Sequence, residues 1–347
     1  MLGSFCGALG IGLVLLFGAS WAVAGEPGDR LDRFRELAAS QLALAQVLEP
    51  DAPGEAYREI YALLDDEIVE SLASGGPFAS LEFLQDRLDS FADAWGGAVL
   101  RLVRTGGFLV GAFVLTDRST GNSVRIYGRL AGEEPALLTT FYREGRPSVS
   151  VLPRARNGAF VVAWEGPPSG WGTRPLRVDL LHAASDGVRV AWSTTEVFAD
   201  GLLARSWSVR GSDVRIRYEV RYPGWAPGCD GQTEQEDVYR LTPVAAVIRV
   251  ARQEHDAWHR QLHATVGRLV TALAARDEAT LSTLVPDRSL RSQLPATLHP
   301  EPSCDGRVGV AGDTISVAAA ADRQPWTLTF RRQGVGWRLM SATRVLQ

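Results

Sequence analysis

Val214-Arg215-Ile216-Arg217-Tyr218-Glu219-Val220-Arg221 alternates apolar and charged residues, then runs into Tyr222-Pro223-Gly224-Trp225-Ala226-Pro227-Gly228-Cys229-Asp230-Gly231. Alternation with period two places one apolar and one polar face on an extended strand. Clustered proline and glycine then stop it. The same period holds outward from about Ala98 to Thr242. Val188, Val190 and Trp192 alternate with Arg189, Ala191 and Ser193, and similar runs lie near 108–116, 122–130, 136–142, 148–153, 159–165, 175–182 and 202–210. Asn157-Gly158 and Asp186-Gly187 suit type I′ hairpin turns, and Gly211-Ser212 suits type II′. About ten antiparallel strands follow, with polar outer faces, as a sandwich or open barrel. That number is too small to close a propeller.

Before this region the period is helical. Leu31, Phe34, Ala38, Leu42, Ala45 and Leu48 mark a first helix, stopped by Pro50 and Pro53-Gly54. Tyr57, Ile60, Tyr61, Leu64, Ile68 and Leu72 mark a second, which ends at Gly75-Gly76. A third begins near Pro77 and carries Leu81, Leu84, Leu88, Phe91 and Trp95. The carboxylates Asp65, Asp66, Glu67 and Glu70 match no metal-site spacing and read as a solvated face. After the β region, Val244 to Ala275 reads as one long helix with the stripe Trp258, Leu262, Val266, Leu269 and Leu273. A short helix from Glu278 to Leu284 follows. Three short strands close the chain: Val308 to Val310 or Thr314 to Ala318, then Trp326 to Arg331, then Trp337 to Ala342.

The pattern Leu269-Val270-Thr271-Ala272-Leu273-Ala274-Ala275-Arg276-Asp277, followed by Leu281 and Leu284, resembles the first helices of the ketosteroid-isomerase-like (SnoaL-like) cone superfamily. The ending Trp326-Thr327-Leu328-Thr329-Phe330 with Gly336-Trp337-Arg338-Leu339 is similar to its last strands. The resemblance spans roughly residues 252 to 345. It implies a curved sheet and helices around an apolar pocket, used in that superfamily for isomerisation, other small-molecule chemistry or binding. The isomerase site pairs an aspartate base with a tyrosine and a protonated aspartate as oxyanion donors. No tyrosine follows Tyr239 here. That departure favours a structural or binding cone. The whole reads as a multidomain α+β chain: a signal peptide over 1–24, a helical region over 25–97, an antiparallel β domain over 98–244 and a small α+β cone-like domain over 245–347.

Residues 1–24 carry no charged side chain. Their apolar centre, Ile11 to Phe17, ends in Ala22-Val23-Ala24, the small-x-small pattern of a signal-peptidase site. The expectation is an exported, periplasmic or extracellular protein, touching a membrane only through this segment if it stays uncleaved. Cys229 and Cys304 then remain, and two cysteines in an oxidising compartment commonly pair; two free thiols are the alternative.

All 36 basic residues are arginine. Schiff-base, phosphate-loop and Ser-Lys chemistries, which need an amine, are therefore excluded. A net charge of −4 gives no whole-chain attraction to nucleic acid. No Gly-x-Ser-x-Gly occurs, and no catalytic residue is assigned. Any cofactor would be zinc or calcium. His255, His259 and His263 recur every fourth residue, so neighbours could share a metal. All three cannot, because eight helical residues rise ~12 Å; a third ligand would come from Glu254, Asp256 or His299. Asp230, Glu234, Glu236 and Asp237 beside Gly228 and Gly231 offer oxygens for calcium, without the spacing of a helix-loop-helix site. Tyr222, Trp225, Asp230 and, in a separate loop, Trp171 are candidate binding residues, since aromatics are enriched at interfaces. The function expected is binding or assembly in the cell envelope, with an unknown protein or small molecule as partner. The alternative is a small-molecule-binding or metal-dependent enzyme using a pocket in the C-terminal cone.

Overall fold

The structure, a computed structural model, describes residues 27–44, 55–116, 121–129, 133–152, 158–169, 172–184, 187–242, 246–308 and 313–345. The signal segment, Pro50, Pro53-Gly54 and Trp171 lie outside the described residues. The fold is α+β: N-terminal helices, mostly antiparallel sheets, and helices with a sheet at the C-terminal end. Among the described residues no helix is long and apolar enough to cross a membrane.

Three helices lead: α1 (Pro27–Leu44), α2 (Glu55–Ser74) and α3 (Leu81–Trp95). The Ser80 hydroxyl accepts from the Phe83 amide and caps α3 at its start, and Gly96 ends it at φ +76°. Phe34, Ile60, Leu64, Leu84, Leu88 and Phe91 face inward together, as their spacing predicts. Fully burying each such side chain contributes about 1.5–3 kcal/mol.

Twelve strands follow among the described residues, in three four-stranded antiparallel meanders. The first is β1 (Val99–Thr105), β2 (Phe108–Val114), β3 (Ser123–Gly128) and β4 (Ala136–Tyr142). The second is β5 (Arg146–Val151), β6 (Phe160–Glu165), β7 (Arg174–Ala184) and β8 (Gly187–Ser193). The third is β9 (Leu203–Arg210), β10 (Asp213–Glu219), β11 (Glu234–Leu241) and β12 (Val247–His255). A short pairing of β7 with β9 at Pro175↔Leu203 and Arg174↔Ala204 joins the last two into one eight-stranded sheet.

The meanders pack face on face. On β2, Leu109 and Phe113 pack with the helices, while Val110 packs with Phe160, Val162 and Trp164 of β6. The opposite face of β6, Val161 and Ala163, packs with Val214, Ile216 and Tyr239 of the third meander. Strands buried on both faces read as unbroken apolar runs, as Phe160-Val161-Val162-Ala163-Trp164 does. Arg125 on β3 anchors α2: its Nε donates to Asp65 Oδ1 at 2.6 Å, and the Tyr127 hydroxyl donates to the same oxygen at 2.7 Å.

The expected helix from Val244 to Ala275 needs correction. Val247–His255 is strand β12, paired along its length with β11, and the helix α4 runs only from Ala257 to Ala275. Most of β12 is exposed. As an edge strand with no face buried in the core, it carries none of the alternation that marks its neighbours. From Trp258 onward the expected stripe holds. Leu262, Val266, Leu269 and Leu273 pack against Leu328, Phe330, Trp337 and Leu339, with Trp258 at the margin. After α4 come α5 (Glu278–Leu284), α6 (Arg288–Gln293) and, among the described residues, five strands rather than three: β13 (His299–Pro300), β14 (Gly306–Val308), β15 (Thr314–Ala321), β16 (Gln324–Gln333) and β17 (Gly336–Arg344). Their order is β13-β15-β16-β17, with β14 also on β15.

Candidate functional site

The loop between β10 and β11, residues 220–233, lies against the start of α4. Its shape is set from within. The Gln232 side chain accepts from the Ala226 amide at 3.0 Å and donates to the Cys229 carbonyl at 3.2 Å. Thr233 then reaches the helix. Its hydroxyl donates to the Asp256 carbonyl at 2.8 Å and accepts from the Arg260 amide at 3.1 Å. It thereby serves one of the orphan amides at the start of α4, where Asp256 itself supplies no side-chain cap.

Cys229 and Cys304 are bonded, with S–S 2.02 Å and Cα–Cα 5.2 Å, within ordinary disulfide geometry. The bridge carries Asp305 into the seam. Asp305 Oδ2 lies 3.0 Å from His259 Nε2 and 2.7 Å from His263 Nε2, and all three side chains are almost wholly buried. On its other nitrogen, His259 Nδ1 meets the Tyr222 hydroxyl at 2.5 Å, and that hydroxyl accepts from the Thr233 amide at 3.1 Å. The His259 ring thus bridges Asp305 on Nε2 and the Tyr222 hydroxyl on Nδ1, so both of its nitrogens are partnered. Gly224, at φ +93°, passes over His263 so closely that a Cβ there would sit 1.8 Å from Nδ1. No other residue type fits that approach.

Burial pushes the Asp305 carboxyl up, but hydrogen bonds from His259 and His263 and the pull of both rings outweigh it, leaving the group below the ordinary carboxylate range. Burial raises the Tyr222 phenol, which therefore stays protonated at neutral pH.

The histidine row is thus split. His259 and His263 converge, as four-residue spacing on a helix requires. His255 sits on β12, 3.9 Å from Glu236, and does not join them. Neither Glu254, Asp256 nor His299 is the third group; Asp305 is. The acidic residues read as a calcium loop are mostly strand. Glu234 pairs with Arg205 and Arg217, Glu236 with Arg215, and Asp237 with Arg252, all from β11. Asp230 alone of the four stays in the loop, and it is exposed. Trp225 is half-buried on its own loop, with the Arg221 guanidinium 5.5 Å over its ring.

A second feature lies at the ends of the first two meanders. A cavity of about 670 Å³ is lined by Arg143, Glu144, Trp164, Arg177, Thr195 and Phe198 among others. A neighbouring cavity of about 550 Å³, with Arg146, Glu165 and Arg174 on its walls, shares Gly145, Gly166 and Pro167 with the first. Gly145 lies at φ +103°, where a Cβ would meet the Glu165 carbonyl at 2.8 Å. Glu165 is committed to Arg174 at 2.8 Å and to the Trp207 indole at 2.9 Å, and Arg177 to Asp179 at 2.9 Å.

No protein-family model matches the chain, and no curated protein matches it. Among solved structures, the β-propeller domain of Nup133 from Vanderwaltozyma polyspora aligns at 9% identity over 71% of this chain and 63% of that one, with a TM-score of 0.21. The chain spans less than two thirds of that domain. A protein from Lactobacillus plantarum aligns at 12% identity over 70% of this chain and 69% of that one, with a TM-score of 0.20.

Proposed function

We propose that the chain is an exported cell-envelope protein that acts by binding or as part of an assembly, and that its ligand enters the adjoining cavities around Gly145 and Gly166. Residues 1–24 serve as the signal peptide. The disulfide fits an oxidising compartment. The observation that carries the binding role is the make-up of the larger cavity. Trp164, Phe198, Leu176 and Leu202 give it an apolar floor, and Arg143 and Arg177 stand at its wall. A concave apolar surface with a few polar groups is the ordinary form of a ligand site. Arg177 already holds Asp179, whereas Arg143 Nε is buried with no partner among the described residues. A ligand with an apolar body and an acidic end suits that lining.

The C-terminal region is proposed to be a ketosteroid-isomerase-like cone that serves architecture. The order of three helices followed by an antiparallel sheet supports that reading. So does an interior occupied by Leu269, Leu328, Phe330 and Trp337. The proposed division stays one into helical, β and cone-like parts; the pairing of β12 with β11 supports moving its last boundary from 244/245 to Asp256.

The test is recovery of partners from envelope extracts on immobilised residues 25–347, beside the variant Arg143→Glu with Phe198→Ala. The expected result is a partner or small molecule retained by the parent and lost from the variant. Equal recovery on both, or no reproducible partner, refutes the proposal.

A further inference from the structure

We infer that His259, His263 and Asp305 form a binding site for one divalent transition-metal ion of the zinc class, located where α4 meets the 220–233 loop. The three donor atoms lie within 4.8 Å of one another and are buried together. Two imidazole nitrogens aim at a single carboxylate oxygen, at 2.7 and 3.0 Å. A tetrahedral ion with bonds of ~2.0–2.1 Å holds its ligand atoms roughly 3.3 Å apart. The two imidazole–carboxylate separations therefore need to open by only a few tenths of an ångström to admit one. Two nitrogens and one oxygen match the preferences of zinc, and not those of calcium, which takes oxygens. Three protein ligands leave a fourth position for water.

The surroundings match what such an ion needs. A metal-bound imidazole carries its proton on the other nitrogen and gives it to an outer partner. For His259 that partner is in place: the Tyr222 hydroxyl at 2.5 Å from Nδ1. With Nε2 on the metal, His259 would carry its proton on Nδ1 and give it to the Tyr222 oxygen. Asp305 is buried beside the two rings and tethered through the neighbouring Cys304. The ion would fasten three separate stretches at one point: α4, the 301–305 segment and, through Tyr222, the 220–233 loop. This goes beyond the binding role proposed for the cavities and does not depend on it.

The experiment uses residues 25–347 with the disulfide intact, stripped of metal by a chelator. Zn²⁺ is titrated calorimetrically and Co²⁺ by its visible ligand-field bands. The expected result is one equivalent of Zn²⁺ and the intense spectrum of tetrahedral Co²⁺. His255→Gln leaves both unchanged. Tyr222→Phe, which removes the outer partner of His259 together with the acceptor of the Thr233 amide, weakens Zn²⁺ by ~10–100-fold, and Asp305→Asn and His263→Gln weaken it further. Circular dichroism checks that each variant folds. If Asp305→Asn does not fold, Tyr222→Phe and His263→Gln carry the test. Absence of saturable binding overturns the inference. So does one-site binding that survives His263→Gln and Tyr222→Phe, or that is lost in His255→Gln.

Discussion

Removing the Cys229–Cys304 bridge is the perturbation whose size follows most directly from the structure. The two cysteines are 75 residues apart. Closing a loop of that length removes roughly 15 cal/mol/K of entropy from the unfolded chain, which is ~4.5 kcal/mol at 25 °C. Alanine is the better replacement, because Cys229 is only 8% exposed and a serine hydroxyl there would need a partner. The Tyr222, His259, His263 and Asp305 contacts remain in the double variant, but Asp305 then sits on an untethered segment. At about 2–4 °C per kcal/mol, the loss corresponds to a fall in Tm of roughly 9–18 °C. Thermal unfolding of residues 25–347, oxidised parent beside Cys229→Ala/Cys304→Ala, followed by circular dichroism without reductant, measures it. A midpoint within ~2 °C of the parent would refute the view that the bridge fastens the C-terminal part to the β region.

Three further outcomes are expected. Gly224→Ala combines a backbone at φ +93° with a Cβ 1.8 Å from His263 Nδ1, and should cost ~2–5 kcal/mol in urea unfolding; a loss under ~1 kcal/mol would mean that the loop stands off the helix. Asp65→Ala leaves the buried Arg125 guanidinium without its carboxylate and should cost ~3–5 kcal/mol, measured the same way. Asp237 ties β12 to the sheet: burial raises its carboxyl, but hydrogen bonds from Arg252, Tyr218 and Tyr239 win and hold it below the ordinary value. A depressed carboxylate stabilises fully above its unfolded pKa of ~3.9, and the contribution is lost as pH falls through the lower folded value. Acid titration of stability should therefore be steeper below about pH 4 in the parent than in Asp237→Asn, and identical slopes would contradict that role.

Much of the architecture was legible because period and burial coincide. Val214, Ile216 and Tyr218 alternate and are buried, and Leu84, Leu88 and Phe91 recur at helical spacing and are buried. β12 was not legible, since its residues face solvent on both sides and burial selects no pattern there. It reads as the start of α4 because the stripe from Trp258 onward is strong. The cysteine pair followed from counting. Two of the three converging donors were legible from spacing on one helix. Asp305 was not, lying 42 residues beyond His263 with no motif around it. Its one signal was adjacency to Cys304: given the bridge, Asp305 had to arrive beside the Tyr222 loop. Gly224 and Thr233 act through backbone approach and helix capping, which depend on where α4 begins, and that start was misplaced.

The loop from Tyr222 to Thr233 is held to fasten the C-terminal helix and sheet to the β region through a covalent bridge. Residues 25–347 contain two cysteines, Cys229 and Cys304. Intact mass after alkylation of the native protein, with and without prior reduction, tests that bridge most directly. No label before reduction and two labels after it is the predicted result. Two labels on the unreduced protein would contradict it.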